Sequence, residues 1–213
     1  MPAVARRAAP CYTRRIVTAQ KRALSIDNTF MFLHGLTSVM IGTTLPAMIR
    51  SFDLTLSRGG LIVSAQNLGG FVAMFAGMAL GDRINKPVWI LLSVAISGLL
   101  FGFIGLSPAY LMLIAAFFLT GIMVRVTDVL LNAFTGDIFP QQRTRAMNLL
   151  HMFFSIGALV GPVFARWLLN LDFRWNGVYW TVGGIYLAAA AIALVWRRDF
   201  LGLASADSGA GAA

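Results

Sequence analysis

Five stretches of the chain contain no Asp, Glu, Lys or Arg: 28–49, 59–81, 87–124, 146–165 and 175–196. A helix that crosses the apolar interior of a bilayer needs about 20 such residues. Four of the stretches therefore read as one span each. The long one holds two, divided at Ser107-Pro108, where a turn is expected. The second of these, begun near Ala109, runs on through Arg125 and Asp128 and carries both charges into or to the edge of the membrane. The apolar runs are continuous, whereas barrel strands alternate apolar and polar positions. The pattern thus predicts an all-α membrane protein with helices at about 28–49, 59–81, 87–106, 109–134, 146–168 and 175–196, one six-helix transmembrane domain over 27–198. A basic head, 1–26, precedes it, and a disordered Gly/Ala/Ser tail, 199–213, is expected to follow.

Polar residues divide the six spans unevenly. The first holds His34, Thr37, Ser38, Thr43 and Thr44, and the second holds Gln66 and Asn67. The fourth holds Thr120, Arg125, Thr127, Asp128 and Asn132, and the fifth Asn148, His151 and Ser155. The third and sixth carry only scattered Ser or Thr. This order, polar-polar-apolar twice over, is that of a three-plus-three repeat in which the first and fourth helices line a watery cavity. An ionisable residue inside a membrane is costly and faces a cavity or a partner. Helices 1 and 4 are where function is expected.

Composition agrees: 58% hydrophobic and 12% charged residues, with a mean hydropathy of +0.77, against roughly 25% charged residues in a soluble domain. The formal charge of +9 reports topology. With six spans both termini share a side, and that side takes most of the Lys and Arg; the other has Arg50, Arg58, Arg166 and Arg174. Cytoplasmic loops carry that excess, so both termini are expected in the cytoplasm of a cell (inner) membrane protein. The basic head also resembles an organellar transit peptide. Contact with anionic lipid fits it; nucleic acid does not, since no basic residues interleave with aromatics. The lone Cys11 excludes an internal disulfide. No metal-ligand motif, nucleophile elbow or phosphate loop is present, so neither an enzyme nor a cofactor is expected.

Arg125 and Asp128 are three residues apart, on nearly one helix face, and can pair. Two readings are open: a structural ion pair, or an Asp128 that takes up and releases a proton with Arg125 tuning it. His34 and His151 lie five to six residues inside their helices, about 8 Å at 1.5 Å per residue, a depth comparable with Asp128. The three form a candidate relay, because histidine titrates near neutrality; each imidazole alone is equally a packing residue. Asn132, four positions after Asp128, can orient it or a solute hydroxyl. Gly35, Gly42 and Pro46, with Gly157, Gly161 and Pro162, permit close helix approach and bending.

The segment "GTTLPAMIRSFDLTLSRGGLIVSAQNLGGFVAMFAGMALGDRINK" resembles the first two helices and connecting loop of the major facilitator superfamily. Leu80, Gly81, Asp82, Arg83 and Lys86 match its loop signature; Met78, Asn85 and Pro87 depart from it. A second segment, "GIMVRVTDVLLNAFTGDIFPQQRTRAMNLLHMFFSIGALVGP", resembles the fucose-permease branch. Asp128, Asn132, Asn148, His151, Gly157, Ala158, Gly161 and Pro162 fill its places, while Arg125 stands where that branch has a small residue. The resemblance implies proton coupling at Asp128 and a conformational gating loop at Gly81, Asp82, Arg83 and Lys86, with Asp82 latching to Arg143 or Arg145. It covers one six-helix half of a twelve-helix transporter, and the glycine pattern of exchangers in helix 5 is incomplete. The function it implies is proton-coupled symport of a small polar solute such as a sugar, by alternating access. The alternative is a non-transporting half-transporter, acting as a membrane subunit or standing as a truncated remnant. Expected partners are the solute, protons, the lipid bilayer, and a second copy or second half-transporter.

Overall fold

A computed structural model of the protein describes residues 9–80 and 84–195, with side chains over 18–75 and 84–195. Six long α-helices make up this part: α1 (Ala9–Ser51), α2 (Leu56–Leu80), α3 (Lys86–Leu106), α4 (Tyr110–Ile138), α5 (Arg143–Asn170) and α6 (Trp175–Val195). One 3-10 turn, Pro140–Gln142, lies between α4 and α5. Among the described residues, five helices are long and apolar enough to cross a membrane: α1, α3, α4, α5 and α6. α1 starts at Ala9, so it takes in much of the basic head, whose Ala, Arg, Gln and Lys are good helix formers.

The helices pack chiefly as α1 on α5, α2 on α4 and α3 on α6. Exchange the first three helices with the last three, and α1–α5 becomes α4–α2 while α3–α6 maps onto itself. Two three-helix units of inverted topology produce that pairing. The sequence makes each crossing close with glycine. A Cβ on Gly35 would run into the Phe154 carbonyl, and one on Gly157 into that of Phe32. Gly69 faces the Phe118 carbonyl in the same way, and Gly121 that of Gln66. Between α3 and α6, a Cβ on Gly183 would lie 2.7 Å from the Gly98 oxygen. The six glycines recur at nearly constant spacing: Gly35 with Gly121, Gly69 with Gly157, Gly98 with Gly183. Bare backbone on both sides is the small-residue solution to helix packing in lipid.

Gly161 meets the Leu36 carbonyl, as expected of a packing position, and α5 continues unbroken through Pro162. Gly42 departs from expectation, with nothing within 4 Å of where its Cβ would stand. It lies two turns beyond the Gly35 crossing, where the inclined axes of α1 and α5 have diverged. Pro46, one turn further, is also exposed.

The third and sixth helices are fastened by hydroxyls. Thr37 Oγ1 and Tyr186 OH are 3.0 Å apart, as are Thr44 Oγ1 and Tyr179 OH, two rungs set two turns apart between α1 and α6. Thr127 donates to Ser93 at 2.8 Å between α4 and α3. Thr37, Thr44, Thr120 and Thr127 are buried, so only part of the polar stripe of helices 1 and 4 turns toward open space. Threonine hydroxyls bond the preceding turn of their own helix, as Thr120 does at 2.7 Å. That leaves their methyl groups to pack, so they tolerate a face that a charge would not.

At the end of the bundle bearing the α2–α3 and α4–α5 connections, Asn85 caps α3, its Oδ1 accepting from the Val88 amide at 3.4 Å. Pro87 stands in the first turn, where a missing N–H costs nothing. Lys86 pairs with Asp137 at the end of α4. Gly81, Asp82 and Arg83, the rest of the expected gating loop, lie outside the described residues.

Asp27, which the charge pattern leaves just outside the first span, is completely buried between α1 and α4. Its Oδ2 accepts from Thr135 Oγ1 at 2.8 Å, while Oδ1 has no partner. Thr135→Val removes that single donor while keeping the volume. Stranding a buried polar group costs about 1–3 kcal/mol. The variant is expected to lower the detergent unfolding midpoint, and Thr135→Ser to restore most of it. Equal midpoints for all three proteins would show that the bond is not holding α1 to α4.

Candidate functional site

Four helices, α1, α2, α4 and α5, surround a cavity of about 440 Å³. Its polar lining is His34 and Ser38 from α1, Gln66 and Asn67 from α2, Arg125 and Asp128 from α4, and His151 from α5. Met31, Ile41, Val63, Val124 and Phe154 supply apolar wall. Four of the five residues singled out from sequence thus share one cavity. Asn132, the fifth, does not line it.

Arg125 and Asp128 form an ion pair, Nη1 to Oδ2 at 2.9 Å. Their spacing of one helical turn aligns the two side chains. The Arg125 side chain is 48% exposed and that of Asp128 16%, so the guanidinium reaches into the open space while the carboxylate stays against the helix. Asn132 holds the carboxylate from behind. Its Nδ2 donates to Asp128 Oδ1 at 3.1 Å and to the Asp128 carbonyl at 2.8 Å. Asn132 therefore orients Asp128 rather than meeting a solute directly. Space for Arg125 comes from α2: Gly70 lies beneath it, with Arg125 Nε 3.7 Å from where a Cβ would stand.

His34 is 7% exposed, its ring tilted against Phe154 with centroids 5.3 Å apart. Its Nδ1 has no hydrogen-bond partner. The main-chain carbonyl of His34 accepts from Ser38 Oγ at 2.7 Å and from Thr37 Oγ1 at 3.1 Å, which anchors this turn of α1. His151 is exposed on the facing wall. The Gly157 crossing, between Phe32 and Leu36, brings α5 near enough for the two imidazoles to share the space. Among the described residues no group of His, Cys and Asp could hold a metal ion.

Gln66, Asn67 and Ser38 were visible in the sequence as polar residues within spans but were not singled out as site residues. Adjacent amides at the centre of an otherwise apolar helix were the available signal. For Asp27 the signal was weaker, since it adjoins the basic head and passes for an interfacial charge.

The chain is 28% identical over 186 residues to the multidrug resistance protein MdtH of Photorhabdus laumondii, covering 84% of this chain and 45% of that protein. It is 28% identical over 116 residues to solute carrier family 2, facilitated glucose transporter member 2, of Bos taurus, covering 53% and 22%. It thus spans less than half the length of these curated relatives. A solved structure with the same fold is that of a bacterial homologue of the human lysosomal transporter Spinster, inward-facing and unoccupied. The match has a TM-score of 0.69 and 19% identity, over 83% of this chain and 43% of that one. The fold is accordingly that of a six-helix half of such a protein, and the protein is an integral, multi-pass membrane protein. The Major Facilitator Superfamily family model matches residues 29–210, from the cavity-lining first helix to beyond the sixth, and the chain belongs to that superfamily.

Proposed function

We propose that the chain forms the proton-coupling half of a secondary active transporter for a small polar solute, working by alternating access. One observation carries this reading: an Arg125–Asp128 ion pair, braced by Asn132, borders a cavity that also holds His34 and His151. A purely structural pair would have no need of open space. Here the guanidinium is half exposed to it, and intramembrane charges that face a cavity mark ion and solute pathways.

In this reading Asp128 binds a proton when the cavity faces one side and gives it up when it faces the other. His34 and His151 relay it, and Gln66, Asn67 and Ser38 hydrogen-bond the solute. A sugar suits these neutral groups, and the fucose-permease likeness of α4 and α5 points the same way. Both termini lie in the cytoplasm of a cell membrane, by the Lys/Arg distribution. Asp82 latches the cytoplasmic side when the cavity opens outward. Because Arg125 and His151 are exposed at membrane depth, a second six-helix unit, either a twin copy or a separate half, covers them. That same exposure favours a second reading, a non-transporting subunit that lends its cavity wall to a partner.

Reconstituting the chain in vesicles and recording solute-driven proton uptake tests the proposal. Uptake is expected from the wild type and at least tenfold less from Asp128→Asn. No uptake by well-folded wild type would overturn transport by this chain and leave the subunit reading. Equal uptake by the variant would remove Asp128 from the pathway.

A further inference from the structure

We infer that the solute of this cavity is a hydroxylated monocarboxylate anion, taken by Arg125 in exchange for Asp128 while Asp128 holds the proton. The inference rests on the transport reading above and narrows its small polar solute to an acid in place of a neutral sugar, since it requires solute and proton to move together without net charge.

Among the described residues, Arg125 is the one permanent cation lining the cavity, and Asp128 the one carboxylate. A guanidinium carries five N–H donors in a planar fork that fits a carboxylate with two parallel bonds. Asp128 engages the fork through Nη1 alone, and among the described residues Nε and Nη2 make no hydrogen bond. Of these, Nε lies over Gly70, which lines the cavity and has no side chain to stand in its way. Around them the hydrogen-bonding capacity is equally unspent. The side-chain amides of Gln66 and Asn67 and the imidazole of His151 have no hydrogen bond among the described residues, and His34 Nδ1 is buried without a partner. A neutral sugar would use the amides and leave the fork idle. A cationic solute would find its only carboxylate already paired. A hydroxy acid anion uses both parts.

Such an anion cannot settle beside an ionised Asp128, because like charges repel strongly at contact distance away from water. Asp128 must first gain a proton. The proton goes to Oδ2, the oxygen facing Arg125, because Oδ1 accepts from Asn132. The Nη1 to Oδ2 ion pair then breaks, and the pair between Arg125 and the incoming carboxylate replaces it. Release runs in reverse: the anion leaves, Oδ2 gives up its proton, and the internal pair re-forms. One negative charge faces Arg125 in the empty and in the loaded state alike. The other titratable groups around the exchange are His34 on α1 and His151 on α5, while α2 brings only neutral amides.

D-gluconate and D-glucose share their four hydroxylated stereocentres but differ in shape as well as charge, an open chain against a ring. Equilibrium binding of the two radiolabelled compounds to the full chain in lipid nanodiscs is the test, with D-glucuronate, a ring that carries a carboxylate, expected to bind with gluconate and not with glucose. Gluconate is expected to bind at least tenfold more tightly than glucose. Its affinity should fall about tenfold per pH unit above the point where Asp128 ionises. Asp128→Asn should retain gluconate binding and flatten that pH dependence. Arg125→Gln should weaken gluconate at least tenfold and Arg125→Lys less, since lysine keeps the charge and loses the fork. Each variant is first checked for an unchanged elution profile. Glucose binding as tightly as gluconate, gluconate binding indifferent to Arg125→Gln, or no binding of either would overturn the proposal. In vesicles the two readings separate: proton uptake driven by glucose alone would leave the transport reading standing and remove this one.

Discussion

Leucine in place of Gly121 is expected to abolish the folded bundle or lower its unfolding midpoint more than any other single change considered. A Cβ at this position runs into the main-chain carbonyl of Gln66 on α2. A flexible side chain could move aside, but a carbonyl held in a helical ladder moves only with its helix. Overpacking of ordinary core sites costs about 1–3 kcal/mol, and a backbone obstacle puts this site at or above the upper figure. Because Gln66 itself lines the cavity, any surviving fold should also have an altered cavity. Gly102→Leu is the matched control, since nothing lies within 4 Å of its would-be Cβ. Removing a helix-interior glycine there should be neutral or slightly stabilising, by up to about 1 kcal/mol. Size-exclusion profiles after graded heating in detergent read both, and equal tolerance of the two leucines would contradict the close α2–α4 crossing.

Arg125→Leu is expected to destabilise the protein more than Asp128→Leu, and the double variant less than the two together. Breaking a buried pair by removing one partner costs about 3–5 kcal/mol. The Arg125 side chain is 48% exposed in its cavity and Asp128 16%. The charge stranded by Asp128→Leu is therefore better solvated than the carboxylate stranded by Arg125→Leu. Roughly 1–2 kcal/mol for the former and 2–4 for the latter are the corresponding expectations, the lower range reflecting access of water. A coupling of about 1–3 kcal/mol should emerge from the double-mutant cycle. Additive losses would mean that the pair does not form in the membrane. A larger loss for Asp128→Leu would mean that the guanidinium, not the carboxylate, is the enclosed partner.

How the sequence disclosed this structure differs from one feature to another. Charge-free runs located the helices because lipid tolerates nothing else at that length, and the polar-polar-apolar order announced the repeat that α1–α5, α2–α4 and α3–α6 pairing then displays. The spacing of Arg125, Asp128 and Asn132 on one helix was enough to show that Arg125 and Asp128 can pair. It left Asn132 open between Asp128 and a solute hydroxyl, and the bond to Asp128 Oδ1 favours the former. Which face a polar residue presents was not legible. Thr37 and Ser38 are neighbours in the chain, yet one is buried against Tyr186 and the other lines the cavity. That choice depends on where α6 crosses α1, a long-range fact. Nor could periodicity tell Gly35 from Gly42, two turns apart on one face, because the difference lies in the inclination of a helix more than a hundred residues away. Asp27 was hidden for a similar reason: its burial follows from Thr135 on α4.

The paired hydroxyls between α1 and α6 bear on how the bundle meets its surroundings. Thr37–Tyr186 and Thr44–Tyr179 behave as two bolts through adjoining beams. A one-turn slip of α6 would have to break both at once and deprive the two tyrosine hydroxyls of these partners, whereas Thr37 and Thr44 keep their bonds within α1. Sliding is thereby opposed. His34 is three residues from the first bolt. The cavity rim on α1 thus shares its footing with α6, a helix that lines none of the cavity and leaves Trp180 and Ile192 exposed on its outer side.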